Sequence, residues 1–514
     1  MMPEIKINPT FIQEFPTDIS YNNLPRATPN RMATLVYPVH FSRAELIIIN
    51  YELAAEFGIE IPLNSRVEAF LNAQVSEQLA TYATAYSGHQ FGNWAGQLGD
   101  GRAIFAGEIC DENQKLWEIQ WKGAGSTPYS RRGDGRAVLR STIREYLMSE
   151  AMYHLGVPTS RALSMSLTGE NVMRDMLYDG NPKAEKGALM VRTAESFLRF
   201  GHFEFAALSS DRSLLKKLTD WTIKRYFTEI TSIDKNKYLD FFEKVRDYTI
   251  EMIIEWYRVG FVHGVMNTDN MSILGLSIDY GPYAMMEDYD LDFTSNTTDL
   301  PGKRYAFGKQ ASIAHWNLTA LANALFPLVN EVVAFQKILD EFEEIFWNKF
   351  DQMMMHKLGF EDFIPEKDID FLKEWQILMM DIRPDFTLFF VELMHWVEDK
   401  NNFNPNNFLY QPLTPQQQVK LNHFLENYEK KRNLEQAHKR FNLEIMQKSN
   451  PKFILRNYLL FQATQEAEQG NFDLFFRLNE ALKNPYSSEF PDLQQKRPDW
   501  ADGVPGCSML SCSS

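Results

Sequence analysis

The residues of this chain whose types and spacing could do chemistry fall in three places. The densest is His263-Gly-Val-Met-Asn-Thr-Asp-Asn270, followed after a short apolar stretch by Asp279-Tyr280-Gly281. Asn270 and Asp279 offer an amide and a carboxylate oxygen. A hard divalent cation that bridges phosphates takes a few such oxygens and keeps part of its water. The second place is Lys122, which closes LWEIQWK and could hold a phosphate as a point charge. The third is a set of arginines: Arg102, then Arg131, Arg132 and Arg136, then Arg192 and Arg199. In so acidic a chain, this concentration is best explained by a triphosphate. Two Gly-Asp-Gly-Arg turns, at 99–102 and 133–136, bring Gly99, Gly101, Asp134 and Gly135 into the same neighbourhood of sequence and allow close backbone approach to phosphate.

These residues need elements to position them. Short apolar or alternating runs from 96 to 122, split by the polar DENQK, read as two paired strands, and GALMVRT at 187–193 reads as a buried strand. Between them, Leu139, Ile143, Leu147, Ala151 and Leu155 mark one face of a helix that ends before Gly156 and Pro158. Two carboxylates on that helix, Glu145 and Glu150, could pair with Lys122, and periodicity alone favours Glu150, which lies near the apolar stripe. SRAELIIINYELAAEFG at 42–58 has apolar positions at helix-like spacing. Long helical patterns fill 212–260 and 311–480, and between them MSIL and LSI read as a small hairpin turning at Gly275.

A strand-rich first part, a long helix and a helical second part interrupted by a polar loop form the order of a protein-kinase-like fold. His263 to Asn270 and the Asp279 triplet follow the kinase patterns HRDxxxxN and DFG in order. One position breaks the match: Val265 stands where a kinase has its catalytic aspartate. Valine can neither accept a proton nor orient a hydroxyl, and a lost base is worth about 10² to 10⁴ in rate. Asp269 is the nearest substitute.

Composition bounds the rest. The chain has 514 residues, 44% apolar and 23% charged, so it folds and can bury a large core. With 52 Lys and Arg against 68 Asp and Glu, the net charge is -16, which argues against nucleic acid or an anionic membrane as the main partner. Three cysteines, Cys110, Cys507 and Cys512, make no disulfide framework and no CxxC site. The opening MMPEIKINPTFIQEFPTD carries acidic residues and no leader-like apolar stretch, and 319–335 is broken by Asn323, Pro327 and Glu331. A cytoplasmic, non-membrane, monomeric protein is expected.

With these motifs in hand, the chain resembles the selenoprotein O family, also called the YdiU protein nucleotidyltransferases. The strings that carry the likeness are YSGHQFGNWAGQLGDGRA, WKGAGSTPYSRRGDGRAVLRSTIREYLMSEAM, LRFGHFEF, GFVHGVMNTDNMSILGLSIDYGP and GKRYAFGKQ, over residues 86 to 310. The resemblance implies an α+β, bilobal, protein-kinase-like (pseudokinase) fold with N- and C-terminal extensions. Its parts would be an extension at 1–95, a strand-rich nucleotide-binding lobe at 96–200, a helical lobe at 201–500 and a flexible tail at 501–514. It implies transfer of AMP from a flipped ATP, with UMP from UTP also open, to Ser, Thr or Tyr hydroxyls of proteins, aided by Mg2+ or Mn2+.

Carried over by position, the family likeness makes Lys122 and Glu145 an ion pair, which overrules Glu150. Gly99, Gly101, Arg102, Lys122, Asp134, Gly135, Arg192, Arg199 and Asp279 would hold the nucleotide. Asp269 would accept the proton, and Asn270 and Asp279 would ligate the metal. Two departures stand out. Ser295 in FTSNTTD replaces a cysteine usual in bacterial relatives, which excludes a redox bridge from that loop, and Cys507 lies five residues from Cys512 rather than three. The competing functions are a kinase-type phosphotransferase using Asp269 and a non-catalytic ATP-binding scaffold; Val265 disfavours the first, and the retained Lys122, Asn270 and Asp279 disfavour the second.

Overall fold

Ten strands from the first part of the chain build one mixed sheet in a computed structural model that describes residues 7–75, 79–176, 178–209 and 212–511. The strands are β1 (Thr17–Asp18), β2 (Ala33–Leu35), β3 (Glu45–Ile49), β4 (Tyr82–Gln90), β5 (Asn93–Gly99), β6 (Ala103–Cys110), β7 (Leu116–Lys122), β8 (Ala137–Val138), β9 (Arg161–Arg174) and β10 (Lys183–Ala194). Their order is β1-β2-β4-β6-β7-β10-β9-β3, with β5 laid on β4 and β8 on β10. Only β1 and β2 run parallel. The expected hairpin of 96–122 is β6 on β7, with Ala103 opposite Lys122. GALMVRT is the buried core of β10, which sets Arg192 opposite Gln120 of β7.

The sheet crosses the boundary expected at residue 95: β1 to β4 all belong to it, and β4 runs deep inside the order. The segment 42–58 also departs from its helical reading. Glu45–Ile49 is a strand on β9, and a helix starts only at Tyr51, capped by Asn50, whose side chain accepts from Leu53 N. Three consecutive isoleucines pack better on a pleated, half-buried edge than in a helix.

The helix Leu139–His154 lies against β9 and β10 and is buried on nearly every side. From 212 onward the chain is helical. The long helix Asn236–Val259 ends at Gly260 and leads into β11 (Phe261–Val262), which pairs with β12 (Ala284–Met285). Between these two short strands the chain is irregular apart from one 3-10 turn, Thr268–Asn270. MSIL and LSI do not pair with each other: Ser272 bridges to Arg199 and Ser277 to Thr159. Ile273 N donates to Leu198 O (3.0 Å) and Ser277 N to Pro158 O (2.9 Å), so the backbone groups of each run are satisfied by segments of the sheet-bearing part instead.

The tail is likewise more ordered than expected as far as it is described. Leu510 N donates to Ser295 O (3.2 Å), Thr297 N donates to Leu510 O (2.7 Å), and Cys507 and Leu510 are buried. Burial pushes the Cys507 thiol up to about 12, which removes it from easy thiolate chemistry. Cys512 lies outside the described residues. Among the described residues no helix is long and apolar enough to cross a membrane.

One buried pair joins distant helical segments. Arg456 Nη1 and Nη2 donate to Asp385 Oδ2 (2.7 Å) and Oδ1 (3.0 Å), and Asp385 also caps the helix Phe386–Glu398 by accepting from Leu388 N (3.0 Å). Replacing Arg456 with methionine strands a fully buried carboxylate, so Arg456→Met is expected to cost about 3 to 5 kcal/mol in urea unfolding. A loss below about 1 kcal/mol, the scale of a surface pair, would contradict this account of the pair.

Candidate active site

Four charged side chains from four segments meet at the end of β7. Lys122 Nζ donates to Glu145 Oε2 and lies 3.4 Å from Asp279 Oδ1. Arg192 Nη1 donates to Glu145 Oε1 (2.8 Å) and to the carbonyl of Ile278 (2.9 Å), while its Nε donates to Gln120 Oε1 (2.9 Å). Lys122, Glu145 and Arg192 are buried, whereas Asp279 keeps part of its carboxylate open. Burial disfavours the charge of Lys122 and draws its pKa below the ordinary lysine value, although Glu145 opposes this. Burial also acts to raise Asp279, but the charges of Lys122 and Arg199 overcome it and hold the carboxyl well below the usual range. Asp279 is therefore an anion at any working pH. Arg102 lines the same small cavity as Lys122 and Glu145.

Asp269 sits on a single 3-10 turn, Thr268–Asn270, in the irregular segment after β11. Arg199 Nη1 donates to its carbonyl (2.7 Å), and Gln90 Nε2 donates to Oδ2 (3.2 Å). Oδ1 is buried with no hydrogen-bond partner among the described residues. Burial, partly offset by Arg199, pushes the carboxyl up to about 6. Asn270 Nδ2 donates to Val265 O (3.0 Å), which fixes the amide and leaves its oxygen to face elsewhere. His263 is buried against Trp256 with ring centroids 5.3 Å apart, and burial lowers it to about 4, so it is neutral and accepts from Val265 N (3.3 Å) at Nδ1.

The turn is held from above by the end of β4. His89 N donates to Thr268 Oγ1 (2.7 Å), and Phe91 N donates to Asn267 Oδ1 (3.1 Å). Tyr305 OH donates to the same Asn267 oxygen (2.6 Å). Arg199 in turn lies over the Tyr86 ring, 4.9 Å from its centroid, and 3.9 Å from Asp100 Oδ1. His202, kept neutral by burial at about 3, accepts Arg199 N on Nδ1 (3.0 Å). Its Nε2 meets Thr84 Oγ1 (3.1 Å), which donates to Asp100 Oδ2 (2.5 Å).

The two Gly-Asp-Gly-Arg turns are stitched to each other's neighbourhoods. Thr127 Oγ1 donates to Asp100 O (2.7 Å) and Ser130 Oγ to Gly101 O. A Cβ on Gly99, at φ +154, would meet the Tyr129 ring at 2.4 Å, and one on Gly135, at φ +70, would meet Gly125 C at 2.1 Å. Both glycines are thus required by close packing, Gly99 against the Tyr129 ring and Thr84 O and Gly135 against the Gly125 backbone. Asp134 is not brought to the Lys122 cluster by any contact: it pairs with Arg174 (Nη2–Oδ1 2.7 Å) and accepts Arg136 N (2.9 Å). Arg131 and Arg132 are exposed, and Arg136 is committed to Glu170 at 2.7 Å.

Glu150, the periodicity choice, faces the other way. It holds the buried Arg161 (Nη2–Oε2 2.8 Å), Asn50 Nδ2 (2.7 Å) and Ala162 N (2.8 Å). Periodicity fails here because the helix is buried all round, so an apolar stripe does not tell which carboxylate faces β7. Asp100, Gln90, Tyr86 and Gln120 were missed by sequence reasoning. Asp100 lies inside the first Gly-Asp-Gly turn, and Tyr86 and Gln90 inside the YSGHQFG string, so position was available as a signal but direction was not.

A buried lysine–glutamate–arginine cluster beside two aspartates whose surroundings drive their protonation in opposite directions is the pattern of a candidate functional site. Residues 17–483 match the family model described as protein adenylyltransferase SelO. Relatives named protein nucleotidyltransferase YdiU include one from Cytophaga hutchinsonii, 45% identical over 99% of both chains. Others are from Flavobacterium johnsoniae, 44% identical over 100% of both chains, and Tolumonas auensis, 44% identical over 98% of both chains. The chain belongs to the SelO family of protein adenylyltransferases and is a nucleotidyltransferase enzyme.

Because Glu150 serves Arg161 and not the Lys122 cluster, Glu150→Ala is expected to lose about 3 to 5 kcal/mol of stability by leaving a buried guanidinium unpaired. The folded fraction should bind nucleoside triphosphate within about threefold of wild type, as separate sites do not couple. Calorimetric unfolding and equilibrium nucleotide binding read both, and a selective loss of binding would place Glu150 in the site after all.

Proposed function

We propose that this enzyme transfers AMP from ATP to a Ser, Thr or Tyr hydroxyl of a protein, with Asp269 as proton acceptor. The observation that carries the reading is the Asp269 carboxylate: one oxygen is held by Gln90, the other is buried without a partner among the described residues, and burial pushes the group up to about 6. A general base poised near neutrality with a free oxygen suits proton removal from a hydroxyl. In the step itself the acceptor oxygen attacks the α-phosphorus, the bond to the bridging oxygen of the β-phosphate breaks, pyrophosphate leaves, and the hydroxyl proton passes to Asp269. Val265 in the usual position of a kinase base fits a nucleotide held in the reverse sense, with its α-phosphate rather than its γ-phosphate at the acceptor.

Lys122 and Arg192, aligned by Glu145, and Arg102 and Arg199 would hold the phosphates; Gly99, Gly101, Asp134 and Gly135 would shape the nucleotide's surroundings. UTP in place of ATP is a further expected co-substrate. The family likeness and the arrangement of strands before helices support a bilobal, kinase-like reading of the fold. Asn270 and Asp279 fit a divalent cation, Mg2+ or Mn2+, in a particular way. Among the described residues no three His, Cys, Asp or Glu side chains converge on a metal site. One amide oxygen and one anionic carboxylate would suit a cation that takes its remaining ligands from phosphate and water. When bound, the cation supplies neutralisation of phosphate charge. We further propose that the enzyme works as a cytoplasmic monomer.

Incubation with a protein acceptor and ATP labelled at the α or the γ position tests the transfer. Label from α alone is expected; label from γ overturns the reading in favour of phosphotransfer, and none in favour of a scaffold. Asp269→Asn should cut the rate by about 10² to 10⁴. Because a base must be ionised to act and burial raises this one, kcat/KM is expected to rise with pH up to about 6 and level above it. That acid limb should vanish in Asp269→Asn. Asp279→Ala or chelation with EDTA should abolish transfer while the thermal unfolding of the chain stays cooperative.

A further inference from the structure

On the side of β4 away from Gln90 there is a surface cavity of about 310 Å3 that the transfer chemistry does not use. Its walls are His89, Glu204 on the helix Phe200–Ala207, Trp316 and Asn323 on the helix Gln310–Val329, and Trp94 of β5. Two independent features converge there. Trp94 is 45% exposed, so much of its indole is open to a partner at the cavity. Glu204, by contrast, is only 5% exposed, and its Oε2 has no hydrogen-bond partner among the described residues.

The charges around Glu204 are accounted for in part. His89 Nδ1 lies 2.7 Å from Oε1. The His89 ring stands edge-on to both Trp94 and Trp316, with centroids 5.0 and 5.3 Å away. Arg304 lies 4.8 Å over Trp316, which keeps that indole in place. The cavity is therefore lined by a buried carboxylate, that of Glu204, and by the indoles of Trp94 and Trp316. That combination recognises a cation: the carboxylate takes its N–H groups, and the rings its charge.

The cavity is tied to the reacting centre. His89 lines it, while the next residue, Gln90, holds Asp269, and Thr268, whose hydroxyl accepts from His89 N, precedes Asp269. Along an extended acceptor chain two residues span about 7 Å, so a side chain a few positions from the modified hydroxyl reaches such a neighbouring cavity. Resting on the transfer reaction proposed above, we infer that the His89–Trp94–Glu204–Trp316 cavity is a subsite for a lysine or arginine side chain of the acceptor protein. The net charge of -16 favours the approach of such basic targets.

The test uses peptides that carry one serine and a single arginine walked through the positions on either side of it, with an all-neutral peptide as reference. Binding to the full chain is followed by calorimetry without nucleotide, and transfer separately with α-labelled ATP. At one position the arginine is expected to tighten binding by about tenfold, the scale of a desolvated cation–π contact with a carboxylate. Trp94→Ala, Trp316→Leu and Glu204→Gln should each erase that advantage while leaving the affinity for ATP unchanged. Arginine peptides that bind no better than the neutral one, or an advantage that survives all three substitutions, would overturn the subsite. Arginine-dependent binding without any transfer of label would instead sink the transfer reaction and leave the subsite standing.

Discussion

The balance of charge at the end of β7 is the constraint on which the rest of the site depends. Lys122 and Arg192 are cations in a buried place, and Glu145 is the anion that makes their burial tolerable. An uncompensated charge there costs several kcal/mol, so the sheet and the helix Leu139–His154 must come together for either to be stable. Asp279 completes the balance from the irregular segment beyond β11, 3.4 Å from Lys122. Its depressed pKa records how strongly that surplus of positive charge favours an anion. A phosphate chain would meet the same surplus.

The second aspartate is controlled in the opposite sense. Asp269 has no cation on its carboxylate, only Gln90, while Arg199 is spent on its carbonyl. Burial then dominates and the group rises toward neutrality. Two carboxylates thus acquire different protonation behaviour from what surrounds them, the pattern that separates a charge-binding role from a proton-transfer role. The hairpin of β4 and β5 is the device that enforces this. Its backbone donors grip Thr268 and Asn267, and its side chains face Asp269 on one side and the Trp316 cavity on the other.

Much of the site was legible as residues and little of it as geometry. The segment from His263 to Asn270 and the Asp279 triplet stood out because together they follow the kinase patterns HRDxxxxN and DFG in order, with Asn and Asp oxygens that can ligate a cation. The strands β6, β7 and β10 were visible from their apolar runs. Less visible was β3, because three isoleucines before a true helix imitate helical spacing, and so was the fate of MSIL and LSI, whose partners lie far away in sequence. The choice between Glu145 and Glu150 was invisible to periodicity, since a helix buried on all sides has no solvent face to orient it.

Read alone, the 514 residues determined the class of chemistry: the acidic balance, the string of arginines, the lysine closing a strand, the missing aspartate at Val265 and the family likeness are all local facts of residue type. Tertiary structure alone decided which carboxylate pairs with Lys122, that the described part of the tail is packed on Ser295, that Gly99 and Gly135 answer to backbone contacts, and that Asp134 joins Arg174. The physical reason is the same in each case. Residue type sets what a group can do, but its pKa and its partners come from burial and from charges supplied by segments distant in sequence, and no spacing rule encodes those distances.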